Sequence, residues 1–143
     1  MDDARMRDEW AISRVLARYC RFLDDQRFDD VVALFAPDGV LDSMGTRAQG
    51  QQEIRAFFPP IGSLPPGATG GRPSSMHVLS NPVIDVDGDR ARAESDWVMI
   101  QRDESGTTNI VLAGRYRDEL ARIDGEWRFS SRTPVALARR TST

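Results

Sequence analysis

The chain has one cysteine, Cys20, and one histidine, His77, in 143 residues. A single cysteine excludes an intramolecular disulfide, and one Cys with one His cannot build a zinc site of Cys and His ligands within the chain. Long apolar runs are missing as well, and none approaches the roughly 20 residues that a membrane-spanning helix needs. The opening MDDARMRDEW carries none of the apolar stretch of a secretory signal, so the expectation is a cytoplasmic protein without a membrane partner. Nor is there a surplus of positive charge. Nineteen basic residues against 22 acidic ones leave a net charge of −3, and the arginines are scattered among Asp and Glu, which disfavours nucleic acid.

What remains is the composition of an ordinary globular protein, 40% hydrophobic and 29% charged, long enough for one domain over 1–143 with a sizeable core. From Asp8 to Leu23 the residues Ile12, Val15, Leu16, Tyr19, Phe22 and Leu23 recur at helical spacing, with Arg14, Arg18 and Arg21 between them. That is an amphipathic helix with one buried face. A second short helix carries Phe28, Val31, Val32, Leu34 and Phe35 and ends at Pro37-Asp38-Gly39. Val40-Leu41-Asp42 reads as a short strand, and 51–58 as a third helix stopped by Pro59-Pro60. Residues 59–76, rich in Pro, Gly and Ser, form a long loop, either a surface insertion or a lid over a site.

Beyond it the period falls to two. Ala91, Ala93, Ser95, Trp97 and Met99 share one strand face, and Arg90, Arg92, Glu94 and Asp96 the other. Turns at Asp87-Gly88-Asp89, 103–106 and Asp124-Gly125 separate strands over 77–86, 90–99, 109–123 and 126–133. The tail 134–143 is expected to fray. Helices first and an antiparallel meander after them make an α+β protein. A curled sheet under a helical layer leaves a cavity, the natural place for chemistry.

Within that frame His77 is the residue suited to proton transfer near neutral pH. Asp24 and Asp25 end the first helix, where the dipole disfavours acids; Asp25 or Asp29 can cap the second helix, and Asp24 can cap or face solvent. A carboxylate on one imidazole nitrogen would leave the other as a base, but 53 residues separate Asp24 from His77 and spacing alone does not join them. Tyr19, Phe57, Phe58, Trp97 and Met99 are candidates for an apolar pocket lining or for plain core. Tyr116 and Asp118 share a strand face and are candidates to face the pocket as substrate-binding residues or, more simply, to bond to strand neighbours; Trp10 and Trp127 read as core, and Cys20 as inert packing.

The stretch RYCRFLDDQRFDDVVALFAPDGVLD resembles the opening of the SnoaL-like branch of the nuclear transport factor 2-like superfamily. GQQEI resembles that family's third helix, MHVLSN its His-x-x-x-Asn strand, and AGRYRDELARIDGEWRFSSR its last hairpin. The resemblance covers roughly residues 8–133. It implies a cone-shaped α+β barrel in which three N-terminal helices pack on a strongly curved, mostly antiparallel sheet around a pocket.

Within the superfamily the pattern is closest to the scytalone dehydratase, lindane dehydrochlorinase and bile acid dehydratase group. That likeness implies His77 as the base, Asp24 as its partner and Arg132 as the stabiliser of a developing anion or leaving group. No second histidine is present, and Leu23 stands where scytalone dehydratase has a tyrosine, so a second imidazole and a scytalone-like substrate are not implied. Asp42 and Tyr19 lie near the acid and tyrosine positions of the ketosteroid isomerases, with Asp42 one residue out of step.

The expected function is therefore a cofactor-independent lyase or isomerase, without a metal, acting on a small apolar molecule of cyclic or polyketide-like type. The alternatives are a non-catalytic ligand-binding module on the same fold, and a cyclase or hydrolase that activates water. The resemblance also implies a homo-oligomer, dimer or trimer, joined through the outer sheet face.

Overall fold

The computed structural model describes residues 2–60 and 73–141. Three helices and six strands follow in the order α1 (Asp3–Asp24), α2 (Phe28–Ala33), β1 (Phe35–Ser43), β2 (Thr46–Gln49), α3 (Gly50–Phe57), β3 (Ser75–Asp87), β4 (Arg90–Arg102), β5 (Thr108–Ile123) and β6 (Glu126–Ala136). The strands form one curved sheet in the order β2-β1-β6-β5-β4-β3. Every neighbouring pair is antiparallel except β1 with β6, which is parallel. The architecture is α+β, as read from the order of the periodicities.

Helix α1 starts five residues earlier than its apolar pattern does, because the Asp2 side chain caps it by accepting from the Ala4 N–H at 3.1 Å. Its buried residues are Ile12, Val15, Leu16, Tyr19 and Cys20. They pack on the inner sheet face with Leu41, Trp97, Tyr116, Leu120 and Phe129. Each large apolar side chain fully buried there stabilises the fold by about 1.5–3 kcal/mol. Trp10 is no part of this core. It lies 63% exposed, because it shares the face of Arg14 and Arg18, at steps of four, and not that of Ile12. Trp127 is buried, with its Nε1–H on Asp8 at 3.1 Å.

Three further expectations need correction. Phe35 opens β1 instead of ending α2, and Pro37-Asp38-Gly39 lies inside that strand, where the pairing with β6 slips between Phe35 and Val40. The short strand β2 has no counterpart in the sequence pattern. It follows a tight turn in which Met44 (φ 50°) and Gly45 (φ 91°) both take left-handed conformations, the pattern of a two-residue hairpin. The tail does not fray at residue 134: Pro134 is buried opposite Tyr116, β6 runs to Ala136, and the Leu137 N–H still bonds the Ala113 carbonyl at 2.9 Å. The loop assigned to 59–76 falls largely outside the described residues, and β3 begins within it at Ser75.

Two bulges decide which side chains face inward. One, between Glu119 and Leu120, shifts the β5–β6 register by a residue, so that Arg132 comes opposite Asp118 and turns to the inner face. The other, between Ser80 and Val83 on β3, holds Asn81 at φ 52°. It lets His77 and Leu79 share the inner face with Ile84 and Val86 beyond it.

Candidate functional site

Asp24 is the last residue of α1, and the chain turns away directly after it through Asp25 and the left-handed Gln26 (φ 56°). A carboxylate at a helix C-terminus faces the negative end of the dipole and needs compensation. It finds this in His77, near the start of β3. The His77 backbone N–H lies 3.0 Å from both Asp24 oxygens, and His77 Nδ1 lies 2.6 Å from Oδ1. The side chains are 15% and 9% exposed respectively. Since a carboxylate only accepts, the contact places the hydrogen on Nδ1 and leaves the Nε2 lone pair of the neutral ring uncommitted.

Beside this pair runs a column of rings. The Trp97 indole is 6.2 Å from the His77 ring, and Tyr116 stacks on Trp97 at 5.5 Å with a 26° tilt. The Cα partner of Trp97 on β5 is Gly114, so no side chain stands between the indole and Tyr116. The Arg132 guanidinium sits 3.7 Å from the centre of the Tyr116 ring, 4.2 Å from that of Tyr19 and 4.5 Å from that of Phe129. Its Nε and Nη2 donate to the two Asp118 oxygens at 2.8 and 3.0 Å. Both side chains of this ion pair have no exposed surface.

The electrostatics follow from burial. Burial pushes the Tyr19 hydroxyl up to about 12 and the Cys20 thiol up to about 11, with Arg132 opposing in each case. Tyr116 is raised further for the same reason, so both phenols keep their protons and remain donors. Burial also raises Asp118, against the pull of Arg132. Arg132 is itself raised: burial disfavours its charge, but the Asp118 carboxylate together with Tyr19 and Tyr116 more than offsets that.

Among the residues singled out from sequence, Asp24, His77, Trp97, Tyr116 and Tyr19 are thus brought into one continuous set of contacts. Met99 is the Cα partner of His77 on β4 and is half-buried there. Phe58 stacks on Phe28 at 5.2 Å. Phe57 is not a lining residue in the described structure: it is 38% exposed and meets only the edge of Phe58. Asp42 alternates with the fully buried Leu41 and so stands on the opposite face of β1. Asp118 and Arg132 are buried against one another through Nε and Nη2, and Arg132 Nη1 is left without a hydrogen-bond partner. Arg132 lies among the rings of Tyr19, Tyr116 and Phe129, with its charge offset by Asp118.

The sequence reading missed the Phe28–Phe58 stack and the continuity of the Trp97–Tyr116–Arg132 column. Strand alternation gave the facing of Trp97 and Tyr116 but not the bulge that turns Arg132 inward. Among the described residues no group of three or more His, Cys, Asp or Glu is placed to hold a metal ion. No helix there is long and apolar enough to cross a membrane.

A family model described as a SnoaL-like domain matches residues 4–133. The "Uncharacterized protein Rv2910c" of Mycobacterium tuberculosis is 28% identical over 130 residues, covering 90% of this chain and 85% of its own. Among solved structures, the "Putative Scytalone Dehydratase" of Novosphingobium aromaticivorans superposes with a TM-score of 0.79 at 26% identity, over 96% of this chain and 89% of that one. An NTF2-like protein with a cystatin-like fold from the same organism gives 0.76 at 26% identity, over 96% and 92% of the two chains.

Proposed function

The chain belongs to the SnoaL-like domain family, and from that premise we propose that it is a cofactor-independent lyase or isomerase working through Asp24 and His77. The observation that carries the reading is the 2.6 Å contact between His77 Nδ1 and Asp24 Oδ1, next to the buried rings of Trp97 and Tyr116. His77 Nε2 takes a proton from a carbon next to a carbonyl. Asp24 fixes the tautomer and offsets the charge of the imidazolium that forms. Loss of a leaving group from the neighbouring carbon completes an elimination, whereas return of the proton to a different carbon completes an isomerisation.

Trp97, Tyr116 and Phe58 favour a small apolar molecule with a ring. Arg132 belongs to this reading as a positioning residue: its charge grips the face of Tyr116, which stacks on Trp97, which abuts His77. The likeness to the "Putative Scytalone Dehydratase" supports the same class of chemistry.

The test reads proton abstraction itself and holds whichever group leaves. Cyclic ketones bearing a β-hydroxyl are incubated with the protein in D2O, and deuterium entry at the α-carbon is followed by mass spectrometry. Exchange that falls about 10²–10⁴-fold in His77→Gln supports the proposal. Exchange equal in wild type and His77→Gln, or none with any ketone that the protein measurably binds, refutes it.

A further inference from the structure

A concave surface lies on the side of α1 away from the ring column. Trp10, Arg14 and Arg18 form one of its walls, and Leu34, Trp127 and Arg128 the opposite one, around a groove of about 320 Å³. The Trp10 indole is 63% exposed, although a large aromatic in water leaves apolar surface unburied. The Arg14 guanidinium lies 4.9 Å from the indole ring centre, so ring and cation make one platform.

Charge is inverted locally. The chain carries −3 overall, whereas the groove gathers Arg14, Arg18 and Arg128 around one acid, Glu126, a local balance of 3 − 1 = +2. Among the described residues Arg14 and Arg18 enter no ion pair, and Arg128 meets Glu126 only at 3.4 Å while its buried Nε has no partner. Unpaired guanidinium forks are built to take a carboxylate or phosphate through two parallel bonds. A flat aromatic beside them takes a ring.

We infer that this groove binds a small aromatic anion, a single ring bearing a phosphate or carboxylate, stacked on Trp10 and held through its charge by Arg18 and Arg128. The volume suits that size, at the small end of ligand clefts, which run from about 300 Å³. The site is independent of the Asp24–His77 reading: it shares no residue with that pair and involves no proton transfer from carbon.

The test uses the full chain labelled at its tryptophan indoles, whose Nε1–H resonances from Trp10, Trp97 and Trp127 are separate probes. Phenyl phosphate is titrated, with inorganic phosphate and phenol as the two halves of the probe. Binding as inferred shifts the Trp10 resonance saturably. Arg18→Ala weakens that titration about tenfold, as loss of a charged hydrogen bond does, and each half-probe binds at least about tenfold more weakly. Arg18 is exposed, so the variant keeps the fold, and an unchanged Trp97 resonance, from outside the groove, verifies this.

A response at Trp97 with Trp10 unmoved overturns the inference, as does an Arg18→Ala titration equal to wild type. Inorganic phosphate matching phenyl phosphate reduces the site to an unspecific anion contact and overturns it as well. A Trp10 shift that follows protein concentration alone assigns the groove to a second copy of the chain instead.

Discussion

Breaking the buried Asp118–Arg132 pair should give a pH-dependent loss from one end and a pH-independent loss from the other, and joint replacement should restore stability. Asp118→Ala leaves a guanidinium with no exposed surface and no carboxylate. Removing one partner of a buried pair costs about 3–5 kcal/mol, a large share of the roughly 5–15 kcal/mol that holds a domain together. With a urea slope near 2 kcal/mol per molar, the unfolding midpoint should fall by about 1.5–2.5 M. Aromatic contacts to Tyr116, Tyr19 and Phe129 remain to Arg132 and keep the loss at the lower end.

Arg132→Met leaves Asp118 instead, and a carboxyl can protonate. Burial already raises its folded-state pKa, and losing Arg132 removes the groups that oppose the rise. A carboxyl whose folded pKa lies above its unfolded value costs nothing while both states are protonated; the penalty grows as pH climbs from the unfolded value through the folded one. Arg132→Met should therefore be near wild type at pH 4 and markedly weaker at pH 7, whereas Asp118→Ala stays destabilised at both. The double variant Asp118→Leu/Arg132→Met should recover most of the loss, since apolar replacement of a buried pair is often neutral or stabilising. Urea titrations followed by circular dichroism at the two pH values decide it. A pH-independent Arg132→Met, or an Asp118→Ala midpoint within about 0.3 M of wild type, would refute this account of the pair.

Two more outcomes follow from close packing. A Cβ at Gly114 would stand 1.9 Å from the Val135 carbonyl oxygen, so Gly114→Ala should force β5 and β6 apart and cost more than about 2 kcal/mol, read as a lowered thermal midpoint; an unchanged midpoint would contradict the register. With its thiol pushed up to about 11, Cys20 has only about one thiolate in a thousand at pH 8, so iodoacetamide should label it in urea and not in the native protein, and rapid native labelling would show that the inner end of α1 opens.

The buried face of α1 could be read from sequence because Ile12, Val15, Leu16 and Tyr19 keep helical spacing. The inner face of β4 could be read because strict alternation runs from Ala91 to Met99. Trp10 is misplaced by residue type: a tryptophan suggests core, while its four-residue step to Arg14 already places it outside. Strand β2 leaves no pattern, since only Ala48 of its four residues is buried.

The Arg132 site fails to emerge for a sharper reason. Unbroken pairing from the Asp124-Gly125 turn would put Ser131 opposite Asp118. The bulge at Glu119 moves Arg132 there, and alternation cannot report a bulge. The Asp24–His77 contact is a tertiary event across 53 residues; only the resemblance linked its two ends.

Asp24 serves folding and the proposed chemistry through the same two oxygens, and this determines which substitution isolates the chemistry. Its bonds to the His77 backbone N–H fasten the end of α1 to β3, and its bond to Nδ1 aims the ring. Asp24→Ala removes both, leaves the His77 amide short of an acceptor where water has limited access, and lets the helix end shift, so any loss of turnover mixes geometry with chemistry. His77→Gln keeps the backbone N–H and therefore the fastening, removing only the ring. A catalytic defect that appears in His77→Gln at unchanged stability belongs to the imidazole. A carboxylate at the unfavourable end of a helix dipole is tolerated here because it satisfies a strand amide and a ring nitrogen together, and the proton-transfer geometry comes with the helix–strand junction that the fold already requires.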